Sequence, residues 1–236
     1  NTGSSDDLKT GQVIEVFVEK LEDREGNVKV SHEKAIKMKS WEKLQKLFDN
    51  KEKVKYGIEL VNNQNSDVIL FTGDLVNNVS EELIPWKELF SSLRAKHGVY
   101  SILGNHDYGD YMDWKNGKEK IRNFDNLKKF QKEMGFKLLL NENEVIKINQ
   151  ERLAIVGVEN WGAGGFKKSG DLDKAIKGLS DNEFKVLLTH DPSHWKAKVI
   201  PHKKYFPLTL SGHTHGMQFG IDIPGWIKWS PIKWRY

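Results

Sequence analysis

Four short apolar runs in this 236-residue chain pass directly into polar, metal-capable residues. They are Leu70-Phe71-Thr72-Gly73-Asp74-Leu75-Val76-Asn77, Ile102-Leu103-Gly104-Asn105-His106-Asp107, Leu187-Leu188-Thr189-His190-Asp191 and Leu210-Ser211-Gly212-His213-Thr214-His215-Gly216. A short apolar run bounded by turn residues reads as a buried strand. Glycine beside the polar residues lets the backbone turn tightly there. Further strands are expected at Lys137–Leu140, Glu144–Ile148 and Leu153–Val158. Helical patterns lie between, at Asp49–Asn65, Glu81–Lys96, Lys118–Met134 and Asp171–Leu179. Alternation of this kind predicts an α/β fold with helices packed outside a layered sheet. Ligands in such sheets bind at the carboxyl ends of strands, where these polar residues fall.

Composition narrows the partners. Hydrophobic residues make up 38% and charged residues 30%, the balance of a soluble globular chain. Eight Trp and 11% aromatics argue against wholesale disorder. No run approaches the roughly 18 apolar residues of a membrane-spanning helix. The sequence shows no signal-peptide pattern, and the compartment is left open, with the cytoplasm as the default expectation. With no cysteine, disulfides, thiolate-bound zinc and thiol catalysis are excluded. The net charge of +4 is too small to imply nucleic acid. There is no internal repeat, and nothing indicates an oligomeric state.

The polar residues select the chemistry. Asp, Asn and His offer oxygen and imidazole donors without sulfur, a set that suits Mn, Fe, Zn or Ni. A carboxylate can bridge two such ions, and the pair clamps the attacking and leaving oxygens of a phosphoryl displacement. Taken singly, Gly73-Asp74 is an ordinary turn and His190-Asp191-Pro192 an ordinary loop. His213-Thr214-His215 in extended backbone puts both imidazoles on one face. Gly104-Asn105-His106-Asp107 is the most specific string. Together, in this order and at strand ends, the four point to a metal centre.

On these strings, residues 48–236 resemble the calcineurin-like metallophosphoesterase superfamily. The likeness is greatest to its small bacterial branch, whose members often carry membrane-anchoring segments. The family signature has five blocks: Asp-x-His, Gly-Asp-x-x-Asn/Asp, Gly-Asn-His-Asp/Glu, a lone His, and Gly-His-x-His. The last four are present. The resemblance implies a two-sheet α/β sandwich, a dinuclear divalent-metal centre with a bridging hydroxide, and a phosphomonoester or phosphodiester substrate. It implies Asp74 as the bridge between two metals. Asn105, His190 and His213 would complete one metal site, and His215 would belong to the other. His106 would act as the catalytic group facing the phosphate, with Asp107 orienting it.

The pattern has departures. The first block is expected near residues 41–45, where the chain reads Trp41-Glu42-Lys43-Leu44-Gln45. That leaves Asp74 and His215 for the first metal site, and neither Glu42 nor His32 reads as a replacement. Family members continue past His-x-His with further strands. Residues 221–236, with Trp226, Trp229 and Trp234, read as the beginning of that region, so the sandwich is expected to be incomplete.

Residues 8–47 resemble instead the end of an OB-fold repeat of ribosomal protein S-one. The likeness lies in Phe17 to Gly26, Val30 to Ala35 and Ser40 to Leu44. An OB fold needs about five strands, and at most two are expected here, at Val13–Val18 and Val28–Val30. Ser31 then caps a Lys/Glu-rich helix. The expected domains are therefore a hairpin-and-helix appendage at 1–47 and a phosphoesterase-like domain at 48–236. The hairpin is not expected to enter the main sheet between the strands at Val68 and Val99, nor to bind RNA.

Two functional readings stand side by side. One is a metal-dependent phosphoesterase using one or two divalent ions. Missing first-site ligands would impair that activity. The other is a catalytically inactive fusion or relict with one metal site, or an RNA- or protein-binding module. Lys167, Lys168, His202, Lys203 and Lys204 are candidate cationic contacts to a phosphorylated substrate. Trp114 and Trp161 are candidate pocket walls.

Overall fold

The computed structural model describes residues 13–14, 16–20, 28–32, 34–36, 39, 51–215, 221–223 and 227–229. The chain divides into two compact units, Asn1–Val54 and Lys55–Tyr236. Trp41–Gln45, with Glu42, lie outside the described residues, as do Trp226 and Trp234.

In the first unit, β1 (Phe17–Lys20) pairs antiparallel with β2 (Lys29–Ser31). The first strand starts four residues later than the apolar run suggests. The hairpin register gives Phe17 the last residue of β2, Ser31, as its partner, and among the described residues Val13, Ile14 and Val16 have no strand partner. Phe17, Val18, Val28 and Val30 are all exposed. The Ser31 Oγ accepts the Lys34 amide at 3.2 Å, the expected helix cap. The hairpin is a two-stranded sheet of its own.

The second unit holds two larger sheets. β3 (Ile69–Phe71), β4 (Val99–Ser101) and β5 (Phe136–Leu138) run parallel. β3 pairs directly with β4, so no hairpin strand stands between them. β6 (Glu142–Ile148) is antiparallel to β7 (Glu151–Gly157), which continues parallel to β8 (Phe184–Leu188) and β9 (Leu208–Leu210). A further antiparallel pair joins β10 (Ile221–Ile223) to β11 (Ile227–Trp229).

Strand alternation builds three cores. Tyr100, Ile102 and Leu139 from the first sheet meet Ile146, Ile155, Val186 and Leu188 from the second, which makes the two sheets a sandwich. The opposite face of the first sheet carries Val99 and Phe136. It packs on Leu127 of α3 (Gly117–Glu133) and on Phe90 of α2 (Lys87–Ser91). The opposite face of the second carries Ala154, Val156 and Leu187. They pack on Leu172 and Ala175 of α4 (Leu172–Ala175) and on Val199. Helix α1 (Lys51–Asn63) is tied through Asn62, whose Nδ2 donates to the Ser92 carbonyl and whose Oδ1 accepts the Arg94 amide. The long helix expected over Glu81–Lys96 is instead a 3₁₀ turn, Ser80–Trp86, followed by α2. Pro85 lies inside that segment and has no amide to donate to an α-helical ladder.

One buried histidine makes the fold sensitive to acid. His194 is 1% exposed, its Nδ1 3.0 Å from the Thr189 hydroxyl and its ring against Trp161. Burial first, and the Lys198 charge second, push its pKa down to about 4. An unfolded-state histidine titrates near 6.5. Between those values the unfolded chain binds a proton that the folded chain refuses, so the His194 contribution to stability is full above pH 6.5 and is lost as pH falls towards 4. The shift corresponds to roughly 3 kcal/mol. Urea midpoints at pH 7 and pH 4.5 test this: the native chain should lose more stability than His194→Gln. An equal loss in both would contradict it.

Candidate metal centre

The four motif strings sit at the carboxyl ends of β3, β4, β8 and β9. The ladder runs on into them. Ile102 donates to the Phe71 carbonyl, Thr189 to the Leu210 carbonyl and Gly212 to the His190 carbonyl. The loops after β3 and β4 pack glycine against glycine. A side chain on Gly73, whose φ is +92°, would collide with the Gly104 backbone, and one on Gly104 would strike the Asp74 carboxylate.

Asp107 fastens these two loops together. It is fully buried. Its Oδ2 accepts the amides of Asp74 and Gly104, both at 2.8 Å. Its Oδ1 accepts those of Leu75 at 2.8 Å and Val76 at 3.3 Å. Burial pushes its carboxyl up to about 6, against the pull of these amides and with the help of the Asp74 charge. The orienting contact to the His106 ring, expected from the sequence, is therefore not made by Asp107. Both its oxygens face backbone amides, and the Nδ1 of His106 donates to the Asn77 carbonyl at 2.7 Å instead. That carbonyl belongs to a loop held in turn by Glu82, which accepts the amides of Asn77, Asn78 and Val79. With Nδ1 as donor, the Nε2 of a neutral His106 is an acceptor.

Asp74, Asn105, His190 and His213 come together. Ligand atoms of Asp74, His190 and His213 all lie within 4.8 Å of one another. The Nε2 of His190 is 3.0 Å from the Asp74 Oδ2 and 3.1 Å from the Asn105 Oδ1. The Nδ1 of His213 is 2.8 Å from the same Asn105 oxygen and 3.3 Å from the His190 Nε2. On its far side, the His213 Nε2 lies 3.6 Å from the Asp191 Oδ2. Asp74 and His213 both adopt left-handed backbone, with φ of 58° and 69°, conformations that ordinary side chains populate at some expense.

The donor chemistry fits a cation. The Nδ1 of His190 lies 2.7 Å from the Thr72 carbonyl, which only accepts, so that nitrogen carries the hydrogen. In the neutral ring its Nε2 then turns a lone pair on the acceptor oxygens of Asp74 and Asn105. Such acceptors repel unless a proton or a metal ion stands between them. The pKa directions follow from burial and from the neighbouring charges. Burial raises that of Asp74, but the hydrogen bond and charge of His190 outweigh it, and the carboxyl lies below its ordinary value. Burial lowers that of His190, but Asp74 outweighs it and the imidazole lies above its ordinary value. Burial sets that of His213 low, with the His190 charge adding to it.

His215 is exposed, with φ of 50°, and the three-residue cluster forms without it. His32 lies in the first unit. Residues outside the motifs complete the surroundings. Tyr111 accepts a hydrogen bond from Asn105, and Phe166 sets its ring edge-on to His213. No periodicity marks either residue. Trp161 contacts His194, and Trp114 donates to the Gly109 carbonyl. Lys167 lies over the Tyr108 ring and Lys168 over Trp161. His202, Lys203 and Lys204 line a cavity of about 960 Å³ with Trp195 and Tyr205.

The sequence model of the calcineurin-like phosphoesterases matches residues 32–217. The chain belongs to the calcineurin-like phosphoesterase family. Members of this family are metal-dependent. A metallophosphoesterase of Caenorhabditis elegans is 29% identical over 174 residues, 71% of this chain and 33% of the relative. An uncharacterized metallophosphoesterase of Helicobacter pylori is 30% identical over 170 residues, 71% of this chain and 41% of the relative. A transmembrane protein with metallophosphoesterase domain from Danio rerio is 27% identical over 175 residues, 70% of this chain and 37% of the relative. The chain thus spans between a third and three fifths of the length of the curated relatives it matches. Among the described residues of this family member, no helix is long and apolar enough to cross a membrane.

The clamp makes a direct prediction. Asp107→Ala strands four backbone donors, each at a penalty of about 1–3 kcal/mol if left without a partner. It should lower stability by at least about 3 kcal/mol in urea unfolding, with Asp107→Asn intermediate. A loss under about 0.5 kcal/mol for Asp107→Ala would show that the amides need no carboxylate.

Proposed function

We propose that this chain is a metal-dependent phosphoester hydrolase whose metal is held by Asp74, Asn105, His190 and His213. The observation that carries the reading is the convergence of four metal-capable atoms from four strand ends, with the Nδ1 hydrogen of His190 fixed by Thr72. When bound, the ion, or the pair of ions with a bridging hydroxide that the family resemblance implies, supplies Lewis acidity to a phosphoryl oxygen and a nucleophile at neutral pH. His215 is the proposed contribution of this chain to the second ion. Manganese, iron, zinc and nickel all suit the donors.

The side chains around the centre have distinct parts. His106 is the proposed catalytic group. Its ring is held by the Asn77 carbonyl, so its Nε2 accepts a proton from solvent and delivers it to the leaving oxygen, or steadies developing charge on phosphorus. Asp107 acts by holding the Asp74 and Gly104 backbones at their separation. Asp191, with its Oδ1 occupied by the Ser193 amide, keeps Oδ2 for the outer nitrogen of His213, the kind of support that fixes a ligating imidazole. Residues 1–47 are a proposed appendage without a part in this chemistry.

The assay uses p-nitrophenyl phosphate and bis(p-nitrophenyl) phosphate with manganese. His106→Ala should lower kcat by about 10²-fold or more, the typical contribution of a positioned acid or base, while metal content stays at the native level. Asp74→Asn should lose both metal and activity. A His106→Ala rate within threefold of native would remove the assigned role. A native chain that binds one ion yet hydrolyses neither substrate would favour the non-catalytic reading.

A further inference from the structure

Asn105 is 4% exposed, and its amide has two ends with opposite chemistry. Its Oδ1 faces the His190 Nε2 and the His213 Nδ1, at 3.1 and 2.8 Å. Its Nδ2 donates to the Tyr111 hydroxyl at 2.9 Å. Turned over, the amide would lose its carbonyl from the cluster and push an N–H₂ group towards imidazole nitrogen. The hydroxyl of Tyr111 accepts from the outer end of Asn105 and so steadies the amide with its oxygen towards the centre.

We propose that Tyr111 is a positioning residue that locks Asn105 with its oxygen towards the metal centre; this rests on the metal reading given above. Tyr111 reaches Asn105 because the chain doubles back. A single 3₁₀ turn, His106–Tyr108, ends at Gly109 in left-handed backbone with φ of 64°. Trp114 pins that turn by donating to the Gly109 carbonyl at 2.7 Å. The Tyr111 ring then rests against His106, with centroids 4.9 Å apart and planes at 43°. One tyrosine thus touches both the proposed ligand and the proposed catalytic group, while 52% of its surface stays open to solvent.

Cobalt(II) affinity, measured by competition with a chromophoric chelator, tests the inference with Tyr111→Phe, Asn105→Ala and the double variant. Tyr111→Phe keeps the ring and removes the hydroxyl. It should weaken cobalt binding about tenfold, the scale seen when support to a metal ligand is lost. It should also alter the cobalt absorption band and leave the melting temperature unchanged. In the Asn105→Ala background the same change should do nothing further, because Tyr111 acts through Asn105. Native affinity in Tyr111→Phe with only KM raised would make Tyr111 a substrate contact and overturn the inference. Additive losses in the double variant would overturn it as well. A native chain that takes up no cobalt would defeat the metal reading itself, whereas an indifferent Tyr111→Phe would leave that reading standing.

Discussion

Everything at this site depends on one buried carboxylate. Asp107 gathers four amides, three from the loop after β3 and one from the loop after β4. These two loops carry Asp74 and Asn105. Without a common anion, the backbone groups of two tight turns would have to meet in a space from which glycine packing excludes almost everything else. The carboxylate supplies their acceptors and sets their spacing in one contact. Its displaced pKa shows the tension: burial opposes the charge, and the amides draw it back.

The second constraint is electrostatic. The four strand ends bring carboxylate, amide-oxygen and imidazole-nitrogen atoms face to face, and a folded chain tolerates that arrangement when a proton or a cation stands among them. Left-handed backbone at Asp74 and His213 adds local strain to the same place. Opposing acceptors and strained conformations at the mouths of four strands are a poor solution for stability alone and a sensible one for holding a cation. The two cores on either side of each sheet hold the strand ends still, so the loops need not be stable in isolation.

Much of this was legible in the sequence because the motifs sit on short apolar strands whose partners are also motif-bearing. The run Leu187-Leu188 followed by Thr189-His190 could hardly be anything but a buried strand opening into polar residues. The same holds for Ile102-Leu103 before Gly104-Asn105. Boundaries were less legible. Pro85 split a pattern whose apolar spacing suggested one helix, and the hairpin at β1 began where its partner strand allowed, not where valines began. The partner of the His106 ring was not legible at all. A carboxylate next in sequence suggests itself, yet the actual contact is a backbone carbonyl, which no side-chain pattern encodes. Tyr111 and Phe166 escaped for the same reason, since they reach the centre by loop geometry and not by periodicity.

Asp74, Asn105, His190 and His213 are the proposed ligands of a divalent cation. Anomalous diffraction from a manganese-soaked crystal tests this assignment most directly. A manganese peak is expected among the Asp74 carboxylate, the Asn105 Oδ1, the His190 Nε2 and the His213 Nδ1, each at about 2.0–2.3 Å as for first-row metal ligands. An anomalous map with no peak there, or with manganese only at exposed carboxylates elsewhere, would contradict it.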